Sequence, residues 1–354
     1  MRSRPGIRKY LILIGLLLLI IAAFAVGCSM SDKPEEPHEP ENTPEIIIEP
    51  TPDPAENTQE QDPPDEPPDE PAATPTPEPE DIYNPTEDGF VTIPMEPEDI
   101  HRGTLLLVNN DHSFNIPDDI DLVNIVEEQR VNFRVHPDNQ RLHRSIIEPL
   151  DDMMESFLSV MGMRSVSIRS AYRNHAAQQS VLNTYISRMG RREALRWVAV
   201  PGFSEHHTGL AFDFGIWANG MMNQFEGTGN SSWFRRNSHR YGFILRYPQG
   251  KEPITKVAPE PWHFRYVGLP HSTIMHQNSW TLEEYIELLR DYTFEEPMQQ
   301  EIGDTLYEIY FVADTNIPIP FYSEFEISGN NVDGFIVTIV RLPYDPDVVI
   351  DVSI

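Results

Sequence analysis

The chain has 354 residues and a formal net charge of −30, with 26 Lys and Arg against 56 Asp and Glu. That balance argues against nucleic-acid binding, because affinity for phosphate comes from basic side chains that neutralise it. The single cysteine, Cys28, excludes an intrachain disulfide, a Cys-rich metal site and a thiol nucleophile in the folded part, so any metal site must use His, Asp and Glu.

In chain order, Arg2, Arg4, Arg8 and Lys9 form a basic start to an apolar run from Leu11 to Val26. Sixteen residues are short for a spanning helix, which needs about 20, so an export signal is expected over 1–28, with an uncleaved anchor helix as the alternative. The small residues before Cys28 resemble a bacterial lipobox, with Ala25 where leucine is commoner. On that resemblance Cys28 is the lipidated N-terminus, and either route attaches the chain to the outer face of the cytoplasmic membrane. Residues 31–80 carry 17 acidic residues against one basic residue, and 15 of the 33 prolines. Such a segment buries too little apolar surface to offset its chain entropy, so 29–85 is expected to be a disordered stalk, or a passive spacer.

From residue 86 the composition is that of a globular chain. Leu142, Ile146, Leu150, Met153, Met154, Phe157 and Leu158 recur at helical spacing, with Pro149 marking a kink or a helix start. Val166 to Arg169 alternates like a strand, Ala176 to Met189 reads as a helix, and Ala211–Phe214 and Phe264–Val267 read as strands. Thr281 and Glu284 form a capping box for a helix ending near Tyr292. Leu306–Val312, Phe325–Ile327, Phe335–Leu342 and Val348–Val352 are β-type runs between turn residues. The expected fold is α+β: a small antiparallel sheet with flanking helices over 86–293, then a small C-terminal β module over 296–354 whose role is packing or wall contact.

The chemistry lies in three strings. Ser204-Glu205-His206-His207-Thr208-Gly209-Leu210-Ala211-Phe212-Asp213 offers imidazole and carboxylate on a loop entering a strand, with Gly209 permitting a tight turn. Spacing alone does not decide between His206 and His207. Glu260-Pro261-Trp262-His263 adds a histidine and a spare carboxylate. Residues i and i+3 face opposite sides of a flat strand, so the chain must bend at Pro261 for both to serve one site. Two histidines, an aspartate and a free glutamate are what a hydrolytic zinc site needs: three ligands, an open position for water, and a base. The third string is Ser170-Ala171-Tyr172-Arg173-Asn174-His175-Ala176-Ala177-Gln178, between a strand and a helix. Trp262 is either a packing residue or a pocket wall; His175, His239 and His271 have no motif support. There is no H-E-x-x-H helix, no glycine-rich phosphate cradle, and His206 stands where a nucleophile elbow would close with glycine.

The order S-x-Y-R-x-x-x-x-Q, S-x-H-x-x-G-x-A-x-D, E-P-W-H, with the opening Gly103-Thr104-Leu105-Leu106-Leu107-Val108-Asn109, resembles the VanY-type D-alanyl-D-alanine carboxypeptidases over 103–290. These are zinc peptidases related to the lysostaphin and hedgehog-type fold. The resemblance implies one zinc ion per chain held by His206, Asp213 and His263, with Glu260 as general base. It implies that Arg173 meets a carboxylate or the oxyanion, and that Gln178 and Ser204 bind the substrate peptide. The implied substrates are peptidoglycan stem peptides. An L,D-carboxypeptidase, an endopeptidase of the same fold, or a non-catalytic wall-binding lipoprotein are the alternatives.

Overall fold

The computed structural model describes residues 89–321 and 323–341. The expected signal, Cys28, the stalk and the run Val348–Val352 lie outside the described residues. Strands β1 (Phe90–Pro94), β2 (Leu122–Asn124), β3 (Arg134–Val135) and β4 (Arg141–His143) precede helix α1 (Ile147–Met161). Then follow β5 (Val166–Ser170), helix α2 (His175–Met189), β6 (Ala211–Ala218), β7 (Met221–Gln224), β8 (Phe243–Tyr247) and β9 (Glu260–Tyr266). Helices α3 (His271–Asn278) and α4 (Leu282–Leu289) lead into β10 (Met298–Ile302), β11 (Thr305–Val312), β12 (Asn316–Pro320), β13 (Glu324–Gly329) and β14 (Phe335–Arg341). The fold is α+β, as expected.

Helix α1 begins at Ile147, later than the periodicity from Leu142 predicts. Leu142 lies instead on β4, paired with Val123 of β2. Pro149 explains the late start: in the first turn its missing N–H costs nothing, whereas more helix upstream would drive its ring into the carbonyl four residues back. Ile147, Leu150, Met153, Met154 and Phe157 then face the core, and Gly162, in the left-handed conformation, closes the helix. Asn174 caps α2 by accepting from the Ala177 N–H, and the Thr281–Glu284 capping box forms on α4, which ends at Leu289 rather than near Tyr292.

The central sheet runs β3-β5-β6-β9-β8, with β7 hairpinned onto β6; all pairs are antiparallel except β3–β5. One face buries Phe212, Phe214 and Phe264 against Phe225, Phe234, Phe243 and α1. Strand alternation therefore turns Asp213 to the opposite face. Strand β9 starts at Glu260, four residues earlier than expected, and the bend at Pro261 takes the form of a bulge. Leu245 pairs with Phe264 and Tyr247 with Glu260, so Pro261, Trp262 and His263 oppose Arg246 alone.

The C-terminal strands form the sheet β10-β11-β14-β13, while β12 pairs with β1. Leu282, Tyr285, Ile286 and Leu289 of α4 share one apolar core with Met298, Ile309 and Ile336 of this sheet and with Ile244 of β8. His271 is buried within the same region, in hydrogen-bonding contact with the Tyr285 hydroxyl at 2.8 Å and Thr338 Oγ1 at 3.0 Å. Burial pushes its pKa down to about 3. The unfolded chain takes up this proton near pH 6.5, so its contribution to stability is present above that pH. It is lost as the pH falls toward the folded value, at up to about 1.4 kcal/mol per pH unit. Urea midpoints at pH 7.5 and 5 should drop less for His271→Gln than for the wild type; an equal drop would place the acid sensitivity elsewhere.

Candidate metal centre and active site

Three neighbouring strands place the site residues by register. Ser170 of β5 pairs with Asp213 of β6, and Asp213 pairs with His263 of β9, so these side chains stand beside one another on the face away from the aromatic core. His206 reaches the same point from a 3-10 turn, Glu205–Thr208. Gly209 ends that turn at φ +71°, and a Cβ there would lie 2.7 Å from Leu122 and 2.9 Å from the His143 nitrogen, so close passage past β4 requires glycine.

His206, Asp213 and His263 each offer one ligand atom, and these atoms lie within 4.8 Å of one another, all buried. His206 Nε2 is 3.5 Å and His263 Nδ1 is 3.1 Å from Asp213 Oδ1. Ligands about 2.0–2.1 Å from a tetrahedral zinc ion would be about 3.3–3.4 Å apart, so the donor set fits that ion.

Hydrogen bonds decide which histidine is free to bind. His206 donates from Nδ1 to the Ala171 carbonyl at 2.6 Å, which leaves Nε2 bearing a lone pair toward Asp213. His207 donates from Nδ1 to the Arg173 carbonyl and accepts the Gly202 N–H at Nε2, so both nitrogens are spent on the backbone. Of the two, only His206 therefore has a ring nitrogen free to face Asp213.

The remaining motif residues line the same cavity, of about 230 Å³. Glu260 Oε2 lies 3.7 Å from His263 Nδ1, the approach that the bulge permits. Arg173 donates to Ser170 Oγ at 3.0 Å and sits 3.9 Å from Asp213 Oδ2, while its Nε has no partner among the described residues. Gln178 donates to the Ala199 carbonyl but leaves Oε1 without a partner. Ser204 is buried on the wall. Trp262 is both wall and packing: it stacks near Trp197 and carries the Arg169 guanidinium 5.7 Å above its ring.

A family model described as VanY, D-alanyl-D-alanine carboxypeptidase, matches residues 139–269, the span that holds all of these side chains. A D-alanyl-D-alanine carboxypeptidase of Enterococcus faecium is 34% identical over 248 residues, covering 68% of this chain and 77% of that one. The chain belongs to the VanY family of D-alanyl-D-alanine carboxypeptidases, which are hydrolases. Another relative, the bifunctional D-Ala-D-Ala dipeptidase and carboxypeptidase VanXYC of Enterococcus gallinarum, is 38% identical over 130 residues, 36% of this chain and 68% of its own length. Among solved structures, the vancomycin-resistance D,D-dipeptidase VanXYg, in complex with a D-Ala-D-Ala phosphinate analogue, matches with a TM-score of 0.64 and 35% identity. That match covers 71% of this chain and 99% of that one.

The electrostatics of this VanY-family site follow from burial and proximity. Burial and the Arg173 charge push His206 down to about 4, so its imidazole is neutral at physiological pH, as a metal ligand must be. Burial opposes ionisation of Asp213, but His206 and His263 outweigh it and hold the carboxylate well below its usual range. Burial pushes Glu260 up to about 8, helped by Asp213 and opposed by His263. Burial works against a charged His263, yet bonds to Asp213 and Glu205 carry it up to about 9. This last bond marks a residue that sequence reasoning missed. Glu205 lies inside the S-x-H-x-x-G-x-A-x-D string at a position to which neither spacing nor the resemblance assigns a role. The available signal was downstream, where Arg246 and Arg265 interrupt apolar strands and call for buried acidic partners.

A direct check of the ligand choice uses metal content. His206→Ala and His263→Ala should each bring bound zinc well below one ion per chain after equilibrium dialysis, while His207→Ala keeps it. Loss in the His207 variant alone would reverse the choice.

Proposed function

We propose that this chain is a zinc-dependent D,D-carboxypeptidase that removes the terminal D-Ala of peptidoglycan stem peptides outside the cytoplasmic membrane, to which a lipid on Cys28 or an anchor helix attaches it. One observation carries the catalytic reading: His206, Asp213, His263, Glu260, Arg173, Gln178 and Ser204 line a single cavity. A closed structural zinc site uses four protein ligands. Three ligands beside an uncommitted glutamate favour turnover over a wall-binding role.

His206 Nε2, the Asp213 carboxylate and His263 Nδ1 would hold the ion. When bound, zinc supplies Lewis acidity to the scissile carbonyl and makes water acidic enough to lose a proton near neutral pH. Glu260 takes that proton and delivers it to the nitrogen of the departing D-Ala. Its pKa of about 8 belongs to a buried carboxyl beside Asp213, and a cation among the ligands lowers it toward the ionised form that a base requires. Arg173 remains charged and donates to the scissile carbonyl oxygen as negative charge develops there. Gln178 Oε1 and Ser204 Oγ supply hydrogen-bonding groups for the peptide.

Relatives with dipeptidase names make free D-Ala-D-Ala the informative competitor. The full-length chain, incubated with a muramyl pentapeptide and separately with the dipeptide, should release one D-Ala from the pentapeptide, and a chelator should abolish that release. Cleavage of the dipeptide alone would make it a dipeptidase. An intact pentapeptide beside a cleaved tetrapeptide would make it an L,D-carboxypeptidase.

A further inference from the structure

We propose that Glu205 is a positioning residue for the metal centre: its buried carboxylate receives the Nε2–H of His263 and thereby presents Nδ1 as the ligand atom. The inference rests on the reading that His206, Asp213 and His263 hold a metal.

The geometry leaves Glu205 little freedom. Its side chain is fully buried, and Oε1 accepts from Arg246 Nε at 2.7 Å and from Arg265 Nη1 at 2.9 Å. Oε2 faces His263 Nε2 at 3.2 Å. Both arginines are themselves fixed. Arg265 donates to the carbonyls of Thr104, Leu106 and Tyr266. Arg246 makes a two-pronged pair with Glu283 at 2.9 and 2.6 Å, and Asn109 donates to that same glutamate.

Charge balance supports the assignment. Glu205 and Glu283 balance Arg246 and Arg265, so the Glu205 carboxylate needs no full positive charge on His263 and can still accept from Nε2–H once a cation replaces the proton on Nδ1. Three buried charges and a fourth at their edge are an expensive way to fill space, since apolar side chains of similar volume are often as stable or more so. What a carboxylate can do there, and an apolar side chain cannot, is fix the tautomer and raise the basicity of a metal-binding histidine. Removing such a partner typically weakens metal binding about 10–100-fold.

Glu283 provides the control, because it sits in the same network and does not touch His263. In Glu205→Gln, an amide oxygen that accepts from both arginines leaves its NH2 toward Nε2, which drives the imidazole proton to Nδ1. Zinc affinity of the full-length chain, measured by competition with a chromophoric chelator, should fall about 10–100-fold in Glu205→Gln and stay within about threefold of wild type in Glu283→Gln. The visible spectrum of the cobalt-substituted protein should change in the first variant and not in the second. Equal losses in both variants, or wild-type affinity in Glu205→Gln, would overturn the role. Should Glu205→Gln fail to fold, 15N NMR of the zinc-loaded wild type decides: protonated Nε2 and metal-bound Nδ1 on His263 support the proposal, and metal on Nε2 overturns it. A wild-type chain that binds no zinc would instead remove the metal reading itself.

Discussion

Glu260→Gln is expected to keep a full complement of zinc and to lose activity on the pentapeptide by about a thousandfold, within the range general acid–base catalysis supplies. Glu260 is not among the three closely grouped ligand atoms, so its loss leaves His206, Asp213 and His263 in place. The amide is nearly isosteric with the carboxyl group it replaces, so the cavity should keep its shape. Zinc content and kcat measured on the same preparation check both halves. Activity within a few-fold of wild type would remove Glu260 from the proton path. Loss of zinc together with activity would make it a ligand.

The second large effect is on stability. Arg246→Met leaves the fully buried Glu205 with one arginine and the largely buried Glu283 without its principal cationic partner. Breaking a buried charge network by removing one member costs about 3–5 kcal/mol, because the abandoned charges stay buried. The thermal midpoint should fall on the order of 10 °C, on the scaling for a domain of this size. Arg144→Met is the comparison: its partners Asp121 and Glu128 are on the surface, and its midpoint should not move measurably. Equal shifts in the two variants would show that the interior network carries no special weight.

The contrast between these networks explains how far the sequence could be read. His206 and Asp213 share one turn-to-strand segment, and Arg173 and Gln178 share one strand-to-helix junction, so each pair falls within a short string that the family resemblance can match. The α4 capping box was legible because Thr281 and Glu284 act within three residues of each other. The early start of β9 was not, because it depends on pairing with β8 across a bulge that periodicity cannot register. Leu142 fits a helical repeat equally well as a strand residue; pairing with Val123 settles its place. Glu205 was hidden for the same reason, since its arginine partners lie 41 and 60 residues along the chain. Spacing left His206 and His207 level and only the family resemblance favoured His206; the structure adds a physical reason, since the backbone claims both ring nitrogens of His207.

The most direct test of the metal centre is diffraction from zinc-grown crystals of the full-length chain, recorded above and below the zinc absorption edge. The account predicts one anomalous peak within bonding distance of His206 Nε2, the Asp213 carboxylate and His263 Nδ1, with Glu260 beside it but not bound. A peak on His207, coordination by Glu260 as a fourth ligand, or no peak in this cavity would contradict it.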